Sequence, residues 1–161
     1  MWEILHSPAD LQAWIEGSSL HVSVGTVSSA DLRQAWRLRE AIFRCADARV
    51  EGGAFPQEAI DDINRAAARP SLVPQIGPSG ERTWAPASVE QVLSVLARDA
   101  VDLFTEPMVE RIRRCSGTNC YLIFVDTSRP GARQWCSMGR CGNRAKVRAY
   151  RNRSRKEESH D

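Results

Sequence analysis

Cys115, Cys120, Cys136 and Cys141 stand as C-x4-C, fifteen intervening residues, and a second C-x4-C. Thiolates are soft metal ligands, and two like-spaced pairs can close one tetrahedron around a single Zn2+ as two knuckles. Four sulfurs leave no open position for water, so the ion expected is structural rather than catalytic. The competing readings are four unrelated buried cysteines, a redox pair or an iron–sulfur cluster. Cysteine pairs bracketing a hairpin are more typical of zinc ribbons.

The residues around the thiols suit knuckles. Cys115-Ser-Gly-Thr-Asn-Cys120 carries Gly and Asn, which tolerate the left-handed backbone of a tight loop. Tyr121–Val125 is apolar and β-branched, hence a strand. After the turn Asp126–Gly131, the segment Arg133–Cys136 is expected to return as its short partner strand. So small a fragment buries little apolar surface, and a metal coupled to folding is the staple that offsets this.

Directly after Cys141, residues 142 to about 155 read as a helix rich in arginine. Arg144, Arg148, Arg151 and Arg155 are spaced 4, 3 and 4, on one helical face. Lys146 and Arg153 form a second strip, and Val147 and Tyr150 are expected to anchor the helix to the module. Like charges four residues apart repel, a cost that a polyanion would relieve. Nucleic acid is the expected partner, held by Arg133, Arg140, Arg144, Lys146, Arg148, Arg151, Arg153 and Arg155. The plainer alternative is a solvated basic tail.

The net charge of +2 hides a division along the chain. Residues 1–110 hold nine Lys/Arg against sixteen Asp/Glu, and residues 111–161 hold thirteen against four. Four thiolates and one Zn2+ would remove two charges and leave the C-terminal part near +7. Such asymmetry points to a basic binding module beside an acidic domain.

The elements that must carry this module read as mainly α, with a small β-hairpin. Ser7-Pro8 opens a first helix through Leu11, Trp14 and Ile15 to Gly17. Ser28 or Ser29 caps the longest helix, to about Val50, with Leu32, Ala35, Trp36, Ile42, Phe43 and Ala46 near one face. Pro56 starts a third helix that Pro70 stops. Residues 71–76 and 82–85 flank Gly77-Pro78-Ser79-Gly80 as a hairpin. Ser88 and Gln91 form a capping box before a helix through Val89, Val92, Leu93, Leu96, Val101 and Phe104. The expected division is a helical domain at 1–110, the zinc module at 111–156 and a frayed tail at 157–161.

Trp135 to Met138, Cys141-Gly142-Asn143-Arg144, Lys146 and Tyr150-Arg151 together resemble the CGNR zinc-finger family. Its members pair this module with a helical N-terminal domain of the ABATE type and are described as stress-induced transcription regulators. The resemblance implies a treble-clef or zinc-ribbon-like module with Cys115, Cys120, Cys136 and Cys141 as ligands, and transcriptional DNA binding in a bacterium. Within the motif, Gly142 would free the backbone as it leaves the metal. Asn143 would hydrogen-bond the knuckle or cap the helix, and Arg144 would either neutralise the thiolates or face phosphate. Members usually begin with an extra segment before the first helix, whereas this chain enters almost directly at Ser7; a lost first strand or pocket wall would remove the ground for ligand sensing by the N-terminal domain.

No catalytic constellation is visible. His6, His21 and His160 lack paired carboxylates, Asp61-Asp62 reads as a solvated helix face, and Cys45 as a small core residue. Trp14, Trp36 and Trp84 read first as core and second as the lining of a small-molecule effector pocket. No run approaches the roughly 20 apolar residues of a membrane span, and no signal-like start is present, so a cytoplasmic setting is expected. Reduced thiols agree with that compartment. The reading is a non-enzymatic, zinc-binding transcriptional regulator that binds double-stranded DNA, with room for a homodimer. The alternatives are an RNA-binding or ribosome-associated module and a zinc-stabilised protein-interaction adaptor.

Overall fold

In a computed structural model, which describes residues 3–105 and 107–158 with side chains to residue 152, serines mark where helices begin. Helix α1 spans Pro8–Glu16 and α2 spans Ser29–Val50. Ser7 and Ser28 each accept from the backbone N–H three residues on, and Asp10 and Asp31 return the favour to the cap N–H, at 2.8 Å in both cases. These are capping boxes with aspartate in the return position, satisfying two otherwise orphaned donors per helix. Helix α3 (Gln57–Ala67) follows Pro56 and has no side-chain cap. Helix α4 (Val89–Thr105) has the expected box, with Ser88 N donating to Gln91 at 2.9 Å and Gln91 N donating to Ser88 at 3.3 Å.

Between α3 and α4 lies the expected hairpin, β1 (Pro74–Ile76) and β2 (Arg82–Trp84), antiparallel with Gln75 opposite Thr83. Its turn ends on Gly80 at φ +84°, a conformation that an L side chain adopts only under strain.

The core of this part is built from Leu11 and Ile15 of α1, a stripe of α2, Ala59 and Ile63 of α3, and Val92, Leu93, Ala97 and Ala100 of α4. The α2 stripe is Leu32, Ala35, Leu38, Ala41 and Cys45. The expected stripe placed weight on Phe43 and Ala46, which are only half-buried, and missed Leu38 and Ala41. Small residues explain the shift: Ala35, Ala41, Cys45, Ala59 and Ala97 allow helices to approach closely, so the tightest packing falls where side chains are short. Burial accordingly pushes the Cys45 thiol up.

The chain divides into two compact units, Met1–Glu106 and Pro107–Asp161. The second begins with a 3-10 turn, Pro107–Arg111, followed by β3 (Ile112–Arg114), β4 (Ile123–Val125), a π-helical turn Met138–Gly142 and helix α5 (Asn143–Glu158). β3 and β4 pair antiparallel, Ile112 opposite Val125 and Arg114 opposite Ile123. The partner of the expected strand therefore precedes the first knuckle and is not Arg133–Cys136. The reason is local. The carbonyls of Trp135 and Cys136 accept from the Arg133 guanidinium, and the Cys136 N–H donates to the Cys115 sulfur at 3.3 Å, so the groups a ladder would use are taken.

A knuckle inside a hairpin, with the second knuckle opening a helix, is the zinc-ribbon-like arrangement that was expected. Among the described residues no helix is long and apolar enough to cross a membrane. The expected tail at 157–161 lies largely outside the described residues, which end at 158, as does His160.

Candidate metal centre and basic helix

Each cysteine is delivered by a different piece of local geometry. Cys115 follows β3 directly, and its N–H donates to Leu122 O at 2.9 Å, closing the hairpin around the first knuckle. Asn119, at φ +59°, makes the left-handed step before Cys120, the kind of backbone asparagine tolerates better than most residues. Cys136 ends the irregular return segment, and Cys141 lies in the π-helical turn that enters α5.

The four sulfurs lie within 4.8 Å of one another. A Zn–S bond of about 2.3 Å makes the edge of a regular tetrahedron about 3.8 Å. Cys120 to Cys136 measures 3.8 Å and Cys136 to Cys141 measures 3.7 Å. So small a spread admits one ion and leaves no room for the several atoms of an iron–sulfur cluster, which removes that alternative. The donor set fits a single structural zinc ion. Among the described residues, these cysteines are the one group of candidate ligands found.

Backbone donors and tight packing support the sulfurs. Gly117 N and Cys136 N donate to the Cys115 sulfur at 3.4 and 3.3 Å. Burial alone would raise that thiol, and these N–H groups together with hydrogen bonds from the Cys120 and Cys136 thiols outweigh it, bringing Cys115 down to about 7. Cys141 receives no such help: burial and the neighbouring thiols push it up to about 12 in the absence of a cation. A divalent ion reverses that penalty by replacing protons. Gly117 is required for space, because a Cβ there would stand 3.0 Å from the Cys141 sulfur and 3.3 Å from that of Cys115.

Gly142 has ordinary backbone, and its lack of a side chain makes room for Met138, whose sulfur a Cβ would meet at 2.8 Å. Met138 is half exposed and its end is flexible, so the contact is cheaply relieved, and the absence of a positive φ leaves the expected backbone release without a conformational counterpart. Asn143 donates to Gly139 O at 3.3 Å, tying the helix start to the knuckle.

The residues expected to hold nucleic acid separate into distinct groups. Arg133 is engaged in the module: its guanidinium reaches Trp135 O at 2.8 Å and Cys136 O, and lies 4.7 Å over the Phe124 ring. Arg140, Arg144, Lys146 and Arg151 are exposed, without an ion pair or hydrogen bond among the described residues. Arg148 is exposed and donates to the Thr118 hydroxyl, linking α5 to the first knuckle. The side chains of Arg153 and Arg155 lie outside the described residues.

Contrary to expectation, Val147 and Tyr150 are not buried against the module. They are 50% and 66% exposed, and Cys141, Gly142 and Ala145 face the module in their place.

Sequence reasoning passed over Asp126, the one carboxylate between residues 111 and 156. It is fully buried. Its oxygens accept from Ser128 N and Oγ at 2.9 and 2.6 Å and from Arg133 N at 2.9 Å, and these bonds hold its carboxyl below the usual range. Arg111 reaches over the same turn to the carbonyls of Asp126 and Ser128, at 3.1 and 2.8 Å. The signal was available: a lone acid in a run of thirteen cations is a candidate for an internal brace.

In the first unit the tryptophans divide. Trp36 and Trp84 spend their indole N–H groups on Leu5 O and Leu20 O, at 3.0 and 2.8 Å, as core residues do. Of the three, only Trp14 lines the apolar cavity of about 310 Å³ formed with Leu11, Leu38, Ile42 and Leu96.

Residues 111–154 match the CGNR zinc finger, and residues 2–107 match the ABATE family, described as "Putative stress-induced transcription regulator". A comparison with curated proteins found no match. With most of its length covered by the ABATE match and its four-cysteine centre inside the zinc-finger match, the chain belongs to the ABATE family and carries a CGNR zinc finger.

Proposed function

We propose that the chain is a transcription regulator that binds double-stranded DNA through α5, with Cys115, Cys120, Cys136 and Cys141 holding zinc to fix the helix start. One observation carries this reading. Residues 111–156 contain thirteen cationic side chains and a single carboxylate, and that carboxylate is buried and internally bonded. No acid in this stretch is left at the surface to neutralise Arg140, Arg144, Lys146 and Arg151. A polyanion whose counterions are released on contact is the natural complement.

Zinc in this account is structural. It pins the hairpin knuckle to the first turn of α5 and takes no part in chemistry. Arg133 belongs to the scaffold, and the phosphate-contacting set is Arg140, Arg144, Lys146, Arg148 and Arg151. The family description adds stress-induced regulation of transcription, and four free thiols suit a compartment that keeps them reduced.

The test compares the zinc-loaded chain with Arg144→Ala/Arg151→Ala on a labelled random-sequence DNA duplex, with an RNA duplex as competitor. The variant should bind at least tenfold more weakly at 0.1 M salt, and RNA should compete poorly. Equal affinity of the two proteins would remove α5 from the contact. Stronger competition by RNA would favour the RNA-binding alternative, and no binding to either polymer would favour an adaptor.

A further inference from the structure

The exposed side of α5 is not uniformly cationic. Projected at about 100° per residue, Tyr150, Asn143 and Val147 fall within an arc of about 60°. Lys146 flanks that arc on one side, and Arg151 and Arg144 flank it on the other, with Arg148 beyond them towards the module, where it donates to Thr118. All seven side chains are exposed. The side turned to the module is instead Cys141, Ala145 and the residues in line with them. A shallow trough of about 650 Å³ lies along the arginine flank of the helix, past Asn143, Arg144, Val147, Arg148, Arg151 and Asn152.

A helix that only neutralised phosphate would gain nothing from leaving Val147 half in water between arginines. Val147 is 50% exposed, so its apolar surface is available to a partner that can cover it. The major groove of B-form DNA is about 12 Å wide and admits one helix, with a phosphate backbone along each wall. An uncharged crest with cations on both shoulders matches that cross-section. The RNA A-form major groove is too deep and narrow to be read in the same way.

Resting on the reading of α5 as the DNA-contacting element, we infer that α5 reads base edges in the major groove with its uncharged crest. Val147 contacts a thymine C5-methyl group, while Lys146 and the arginines hold the two phosphate strands. The thymine methyl is the one apolar group on the major-groove edge of the four bases, and a valine is its direct complement. Asn143 has one amide hydrogen bond to the knuckle, which leaves its carbonyl oxygen to accept from a base amino group. The protein is therefore sequence-specific, with an A·T pair at the Val147 position.

The experiment selects binding sites for the full, zinc-loaded chain from a pool of random DNA duplexes, then replaces each thymine of the selected site by deoxyuridine. Loss of one methyl contact is expected to lower affinity about fourfold at one position, the factor that burial of a single such group is worth. The same replacement should change the affinity of Val147→Ala less than twofold. That variant retains the helix, since alanine is the better helix former and the site is half in solvent. Lys146→Ala should weaken binding to all duplexes alike.

Duplex binding with a salt slope but no selected sequence would overturn the inference and leave the proposed function standing. A selected sequence whose uracil replacement affects wild type and Val147→Ala equally would overturn the assignment to Val147. Absence of DNA binding would remove both.

Discussion

Removing the zinc ion should unfold the second unit and leave the first folded. Among the described residues of the second unit, the buried apolar side chains are Ile112, Cys115 and Cys141, two of which are ligands. The first unit has a core of nineteen buried residues. Burying one isoleucine contributes about 1.5–3 kcal/mol, whereas structural zinc sites in small domains contribute about 10–16 kcal/mol. Without the ion, α5 also loses its fixed start. A basic helix of this length, with like charges at i and i+4, is marginal in water. Helix α5 supplies 16 of the 75 residues in the five α-helices. Chelation should therefore remove about a fifth of the helical ellipticity at 222 nm, and added zinc should restore it. Cys141→Ser should show the same deficit before chelation. The thermal transition of the first unit, followed by tryptophan fluorescence, should persist. Full helical signal after verified metal removal would refute the reasoning, and so would loss of the first unit's transition.

Gly117→Ala should weaken zinc binding about tenfold or more, because the added methyl crowds two ligand sulfurs and overpacking costs about 1–3 kcal/mol; competition with a chromophoric chelator reads this directly. Arg133→Ala should destabilise the second unit by about 2–3 kcal/mol through its lost charged hydrogen bonds, with the salt slope of DNA binding unchanged. A reduced slope would return Arg133 to the interface. In the first unit, hydrogen bonds from the Arg39 guanidinium and from the N–H groups of Leu5 and Ile4 hold Glu3 down to about 2, from an ordinary 4.5. A depressed carboxylate stabilises the fold above its unfolded value and ceases to do so as pH falls through its folded one. Glu3→Gln should therefore lower the first unit's Tm at pH 6, with the gap narrowing below pH 4.5 and closing below about 2. A gap that is constant with pH would show that the ion pair does not carry the effect.

What the sequence discloses here depends on whether one residue type decides the matter. Ligand chemistry is of that kind, and the four cysteine positions named the metal centre without help from packing. Serine caps are similar: Ser7, Ser28 and Ser88 each begin a helix because a side-chain oxygen three residues ahead of a backbone N–H suffices. Packing decided the rest. On α2, Phe43 carries the stronger hydrophobic signal, yet Ala41 and Cys45 are buried because neighbouring helices come close there.

The partner of β4 was misplaced because β3 is Ile-Arg-Arg, a poor strand by composition. Hydrogen bonds from the Arg133 N–H to Asp126 and from its guanidinium to Trp135 O occupy the competing segment. Val147 and Tyr150 were placed inside for their size, but the rotation of α5 is set by its metal ligand. With the Cys141 sulfur facing the ion, the residue four positions on, Ala145, turns inward too. That constraint was legible in the spacing and was outweighed by hydrophobicity.

The most direct test of the account is the affinity of the zinc-loaded chain for a DNA duplex measured across a salt series. Five phosphate contacts, from Arg140, Arg144, Lys146, Arg148 and Arg151, should give a slope of about −4.5 in log affinity against log salt. Removing Arg144 and Arg151 together should make it shallower by about two. Affinity that does not change with salt, or a slope unaltered by the double substitution, would contradict the claim that α5 is the nucleic-acid-binding element.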